Sequence, residues 1–198
     1  WDCGDCGTEI IDLNGYCEDV GQSPRNNSRQ PRPINLQYRG WDEDDDTNID
    51  FANQLEWDML NLPLFWTGGN FMTDGYGKGF STKIMINENN MEESNFYNLS
   101  QEYLNIVEYH IFDNPNEESI QHIDCFAKLV SPETVIIKQV SDTSTEYACI
   151  EEFANSFYEL NTFYDRPFNI HRIFCPEINS VDWELNPVAA YTNSYILN

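Results

Sequence analysis

The sequence predicts a mixed α/β fold. Apolar or alternating runs that suit strands are interleaved with stretches of helical period, in the repeating order strand, helix, strand, hairpin, helix, strand. Glycine and proline punctuate the joints, at Pro63, at the cluster Gly68 to Gly77, and at Ser131-Pro132-Glu133. Hydrophobic residues at 40% and aromatics at 14% supply a real core. The 198 residues suit one domain, or a large part of a bigger one, and a chain of this size buries about 70% of its unfolded surface.

Taken in order, Glu9 to Leu13 reads as a short buried strand. Cys17 to Asp46 is loop-rich, with Pro24, Pro31 and Pro33, and closes on the acidic run Trp41 to Asp46. Asp50 is placed to cap a helix over Phe51 to Leu60, with Phe51, Leu55 and Met59 on one stripe and Pro63 as its stop. Leu64 to Trp66 opens a strand that runs into the glycine cluster, and Thr82 to Asn87 continues as an alternating strand. Met91 to Leu104 predicts a second helix and Ile106 to Phe112 a strand. Ile123 to Val130 and Thr134 to Val140 form a hairpin around Ser131-Pro132-Glu133. A third helix spans Thr145 to Leu160, and Asn169 to Cys175 and Tyr191 to Leu197 are the last two strands.

Charge narrows the function classes. Thirty-four acidic residues against ten basic ones give a net charge of −24. Nucleic-acid binding needs a basic footprint, so it is excluded, as is attraction to an anionic membrane. Much of this charge is a solvated surface, and it favours cationic partners. No apolar run reaches the roughly 18–20 residues that span a bilayer. The first residue is Trp1, so the chain reads as processed or incomplete at its start.

Six cysteines lie at positions 3, 6, 17, 125, 149 and 175, and Asn26-Asn27-Ser28 and Asn98-Leu99-Ser100 are N-glycosylation sequons. An even cysteine count with two sequons leans toward a secreted or extracellular glycoprotein with disulfides; a cytoplasmic chain is the alternative. Cys3-Gly4-Asp5-Cys6 has no second pair at zinc spacing, so a local disulfide, or pairing with Cys17, is preferred to a metal site. Asp42 to Asp46 lacks the ligand spacing and turn glycine of a calcium loop and reads as a solvated segment. No metal is expected at either stretch.

Two stretches carry chemistry. Gly68-Gly69-Asn70-Phe71-Met72-Thr73-Asp74-Gly75-Tyr76-Gly77 reads as a strand entering and leaving a tight site, because glycine permits close backbone approach and φ > 0. Some fifty residues later comes His122-Ile123-Asp124. On a strand, His-x-Asp places both side chains on one face. A carboxylate beside an imidazole fixes its tautomer and raises its basicity, which makes an acid–base pair.

In this order the two stretches resemble the guanidine-modifying superfamily, in the branch of bacterial-type peptidylarginine deiminases and agmatine deiminases. Trp1 to Gly15 is similar to that branch's first strand, with Asp5-Cys6-Gly7 at its Asp-x-Gly position. Phe80 to Asn89, Arg166-Pro167-Phe168 and Ala190-Tyr191-Thr192-Asn193-Ser194 follow in the same order, so the likeness spans nearly the whole chain. The resemblance implies a pentein fold, an α/β propeller of five ββαβ-type modules of which this chain would hold about three. It implies a deiminase, a hydrolase of guanidino carbon–nitrogen bonds that needs no metal and no organic cofactor. Its reaction is citrullination of protein arginine or the agmatine step toward putrescine, by way of a covalent thiouronium. His122 would be the general acid/base, Asp124 and Asp5 the carboxylates that hold the guanidinium (with Asp2 as an alternative to Asp5), and Asn70 part of the pocket wall. Arg29 and Arg32 would receive a peptide's C-terminal carboxylate; the other reading makes them exposed loop arginines.

In that family the nucleophilic cysteine lies in a Gly-rich stretch ending in His-Cys, and none of the six cysteines here has that context. Cys125, by alternation, points away from His122 and Asp124 and is expected in the core or in a disulfide. Residues 1–198 are therefore read as one deiminase-type domain truncated at its C-terminus, inactive alone and completed by a further segment or second chain. A reading of another class is a non-catalytic pentein-fold protein, an extracellular structural or binding component.

Overall fold

The computed structural model describes residues 34–37, 45–115, 120–176 and 190–194. They fall into two compact units. The first takes its described residues from the stretches up to 68, 75–78 and 85–109; the second comprises 69–74, 79–84 and the stretches from 110 onward.

In the first unit, β1 (Ile34–Gln37) and β2 (Leu60–Phe65) pair in parallel, joined through helix α1 (Asp45–Leu55). A strand within the predicted loop region was not expected. Helix α1 also starts before Asp50 and stops at Glu56, not at Pro63. Asp45 and Asp46, which read as loop, lie in its first turn. Glu56, at φ 55°, ends it, and Trp57 N–H returns to Ala52 O at 2.9 Å. Pro63 instead sits inside β2, in the irregular stretch of the ladder between the pairs Asn35↔Asn61 and Gln37↔Phe65, where its missing N–H leaves no rung unmade.

The predicted strand Thr82 to Asn87 is a second correction. Ile84–Asn89 is a helical turn, α2, with Met85 fully buried. Six alternating residues fit either period, and here the turn is closed by Asn89. Asn89 Nδ2 donates to Met85 O (2.9 Å) and Phe65 O (2.8 Å), while its Oδ1 accepts from Phe65 N–H (2.8 Å). Helix α3 (Glu93–Leu104) buries Phe96, Ser100 and Leu104, four residues apart, and Asn105 caps it at φ 54°. Phe96 packs at 5.7 Å from Trp66 and edge-on to Tyr109 at 4.8 Å.

In the second unit, β3 (Met72–Thr73) pairs antiparallel with β4 (Lys78–Thr82), and β5 (Glu108–Phe112) completes that sheet; the division between units runs through β4 and β5. The other sheet follows the order strand, strand, helix, strand. β6 (Ala127–Ser131) and β7 (Thr134–Gln139) form the expected hairpin, α4 (Tyr147–Tyr158) crosses over, and β8 (Asn169–Phe174) lies parallel to β7. Ile150, Phe153, Ala154 and Phe157 make the buried stripe of α4. Phe157 stacks with Phe112 at 4.7 Å and Phe80 at 5.8 Å and meets Phe168 edge-on at 6.2 Å. Tyr191 and Thr192, predicted to open a strand, lie in a turn closed by Asn193 N–H to Ala190 O at 3.0 Å. Among the described residues no helix is long and apolar enough to cross a membrane.

Candidate functional site

Within the second unit, Gly69 and Asn70 of the first stretch meet His122 to Asp124 of the other. Gly68–Asn70 is a 3₁₀ turn that leads into β3. His122 precedes a second 3₁₀ turn, Ile123–Cys125, which leads into β6. The His122 and Asp124 side chains therefore do not share the strand face that alternation predicts. His122 is extended (φ −78°, ψ 144°), and the chain then coils. The reason is polar: Asn70 takes the Ile123 N–H, a group that a continuous strand would use in its ladder.

Both side chains nonetheless converge on Gly69. A Cβ added there would lie 2.8 Å from His122 Nδ1 and 2.9 and 3.1 Å from the two Asp124 carboxylate oxygens. Imidazole and carboxylate thus meet within about 3 Å of one point, and only a residue without a side chain fits beneath them. Gly75 serves differently: nothing lies within 4 Å of its Cβ position, and its φ of 73° is what requires glycine. Asp124 is buried, at 6% exposure, and His122 half-buried. A buried carboxylate against an imidazole suits both proton transfer and the binding of a planar cation.

Asn70 is fully buried. Its Oδ1 accepts from Thr82 N–H (3.0 Å) and Ile123 N–H (3.1 Å) and lies 2.9 Å from Thr82 Oγ1. Thr82 Oγ1 in turn reaches Gln121 O at 2.5 Å. Thr82 carries no signal in the sequence, because a threonine in a strand is what strand preference alone supplies. Asp74 is a further buried carboxylate, at the end of the β3 side of the glycine cluster.

Cys125 lies in the apolar core with Ile123, Phe126 and Ala127, as expected of it, and the Asp124 charge acts on its thiol. Burial, first, and then the Asp124 charge push the thiol up to about 12, so it is protonated at neutral pH and unsuited to nucleophilic attack. Behind it Lys138 Nζ pairs with Glu146 Oε2 at 2.9 Å, both side chains nearly fully buried, and Lys138 lies 5.5 Å from the Phe126 ring centre. A lysine within the apolar run of β7 was the available signal for this buried pair. Cys125, Cys149 and Cys175 are free thiols, the first and last buried. Among the described residues no group of three His, Cys, Asp or Glu could hold a metal ion. Asp2, Asp5, Arg29 and Arg32, with Cys3, Cys6 and Cys17, lie outside the described residues.

Comparison with known proteins gives a consistent picture. The family model for the Porphyromonas-type peptidyl-arginine deiminase matches residues 32–198. The fold is similar to that of the agmatine deiminase of Enterococcus faecalis, with a TM-score of 0.74 at 17% identity over 94% of this chain and 53% of that one. It is similar to the agmatine deiminase of C. jejuni, with a TM-score of 0.68 at 13% identity over 83% of this chain and 51% of that one. A protein of Porphyromonas gingivalis assigned provisionally as an arginine deiminase gives 0.70 at 18% identity over 93% and 60%. The chain spans between about half and three-fifths of the length of each of these structures.

Proposed function

Because the chain belongs to the Porphyromonas-type peptidyl-arginine deiminase family, we propose that it forms the guanidinium-binding and acid–base part of a guanidino-group hydrolase. The observation that carries this reading is the convergence of His122 and Asp124 on Gly69. Asp124, with Asp5, holds the planar guanidinium by paired charge-assisted hydrogen bonds. A cysteine thiolate forms a bond to the guanidinium carbon. The carbon–nitrogen bond to the leaving group then breaks as His122 gives that nitrogen its proton, and ammonia departs. Water, deprotonated by the same imidazole, adds to the thiouronium carbon, the carbon–sulfur bond breaks, and a ureido product leaves. The protonated Cys125 thiol does not fit the nucleophile's part, and the reading assigns that part to a cysteine outside residues 1–198. The same reading takes the strand–strand–helix–strand order of β6, β7, α4 and β8 as one propeller module.

The test is ammonia and ureido-product release by the native protein, purified with any chain contiguous with these residues. Arginine-containing peptides and agmatine are supplied separately. His122→Ala and Asp124→Asn are expected to lower kcat/KM by at least about 10³-fold. Arg29→Ala and Arg32→Ala raise KM only for a peptide with a free carboxylate, if that is the substrate. A folded native protein that releases ammonia from neither substrate overturns the reading and leaves a non-catalytic member of the fold.

A further inference from the structure

We propose that Thr82 is a positioning residue for His122. With Asn70 it holds both peptide groups that flank the histidine and so fixes where the imidazole stands beside Asp124.

The geometry is specific. The peptide before His122 ends in Gln121 C=O, which accepts from Thr82 Oγ1 at 2.5 Å. The peptide after it carries Ile123 N–H, which donates to Asn70 Oδ1 at 3.1 Å. A residue's φ and ψ are the rotations between its two flanking peptide planes, so holding both planes holds the direction of its Cα–Cβ bond. Asn70 and Thr82 are locked to each other as well. Thr82 N–H donates to Asn70 Oδ1 at 3.0 Å, and Asn70 Nδ2 reaches Thr82 O at 3.5 Å. Two backbone N–H donors on one amide oxygen fix which way the Asn70 amide faces. The single Thr82 hydroxyl proton is then placed between Asn70 Oδ1 (2.9 Å) and Gln121 O (2.5 Å), and only the carbonyl depends on it, since Oδ1 has two other donors. Asn70 and Thr82 are both fully buried, where such bonds meet no competition from water. The 3₁₀ turn gives the His122 carbonyl a bond from Cys125 N–H, at 3.1 Å. Asn70 and Thr82 add restraint on the peptides to either side.

The functional consequence rests on the deiminase reading, but the structural claim does not, and the experiment separates them. Thr82→Val keeps the shape and removes the hydroxyl; Thr82→Ser restores it. Ring 15N–1H correlation spectra of the full chain report the imidazoles individually. Thr82→Val is expected to shift or broaden the His122 ring signals while those of His171, on β8, stay in place, and Thr82→Ser is expected to return them. In the native protein Thr82→Val lowers kcat about 10- to 100-fold with KM changed less than about threefold, because misplacement affects the reacting geometry more than binding. Unchanged His122 ring signals in folded Thr82→Val overturn the proposal, whatever the activity. Absence of turnover in the wild-type protein removes the deiminase reading and leaves the ring spectra to decide. If Thr82→Val fails to fold, hydrogen exchange of the wild type decides: Ile123 N–H is expected to be protected at least about 100-fold, like the ladder amides of β7, and an unprotected Ile123 amide overturns the bracket.

Discussion

The hairpin–helix–strand segment β6–β7–α4–β8 and the junction where Gly69, Asn70 and Thr82 meet Gln121–Cys125 belong to the same compact unit, yet they are held by different physics. In the first, Ile137, Ile150, Phe153 and Phe157 are buried by period alone, and many apolar residues of similar size would serve. In the second, three donors converge on one amide oxygen and one glycine makes room for two ionisable side chains. The first distributes its stability over a large area. The second concentrates its geometry in a few polar contacts that have no substitutes. Stability and function should therefore separate when each region is perturbed on its own.

The largest expected effect is on stability. Phe157 is fully buried among Phe80, Phe112, Phe153 and Phe168. Phe157→Ala removes its ring from all four and is expected to cost about 3–5 kcal/mol in urea unfolding. The His122 ring signals of the fraction still folded should keep their positions. A shift there as large as the one from Thr82→Val would mean that the junction leans on the aromatic core, and the separation would fail.

Gly69→Ala should give the opposite profile. Its Cβ must displace His122 or Asp124, which stand 2.8 and 2.9 Å away. Overpacking of this kind costs about 1–3 kcal/mol, less than the loss of Phe157. On the proposed deiminase reading, displacement of His122 or Asp124 is expected to lower kcat/KM about 100-fold. Gly75→Ala is the control: its φ of 73° makes alanine cost about 1–2 kcal/mol, with open space around the new methyl and no displacement of His122. Equal activities of the two variants would show that close approach at Gly69 is not what the site requires.

The same contrast decides what could be read from the sequence. The stripe of α4 and the hairpin of β6 and β7 follow from apolar period and from Pro132-Glu133, and the structure has them within a few residues of the expected bounds. The meeting of His122 and Asp124 was legible as a motif. Its route was not: alternation assumed a strand, whereas Asn70 diverts the Ile123 N–H and the chain coils. Ile84–Asn89 was misread for a related reason. Its period is ambiguous, and the choice is made by the Asn89 side chain bonding Phe65 and Met85. Helix α1 ended early because Glu56 adopts φ 55°. At Asn70 and Asn89 a polar side chain closing on distant or local backbone overrode the apolar pattern, and such closures leave no periodic trace. Thr82, which nothing in the sequence marks, is the extreme instance.

Cys125 stands where the two regions join, and it offers the smallest and most specific test. Cys125 belongs to the apolar core with Phe126 and Ala127, and the charge of its neighbour Asp124 acts on its thiol. Burial and the Asp124 charge raise its ionisation from 9.0 to about 12. The sign follows from which state holds the proton. Below pH 9 both folded and unfolded chains carry the thiol, and the group contributes nothing to the pH dependence. Between pH 9 and about 12 the unfolded chain loses this proton and the folded chain keeps it, so stability falls as pH rises, by about 1.4 kcal/mol per pH unit. Tyrosines and lysines titrate in the same range, but they are common to wild type and Cys125→Val and cancel in the difference. Urea unfolding at pH 8 and pH 10 should therefore show wild type losing about 1.4 kcal/mol more than Cys125→Val over that interval. Equal losses would mean that the thiol ionises as readily folded as unfolded. Asp124 would then not sit in the dry, hydrogen-bonded setting that distinguishes the junction from an ordinary turn, and the contrast between the two regions would lose its electrostatic half.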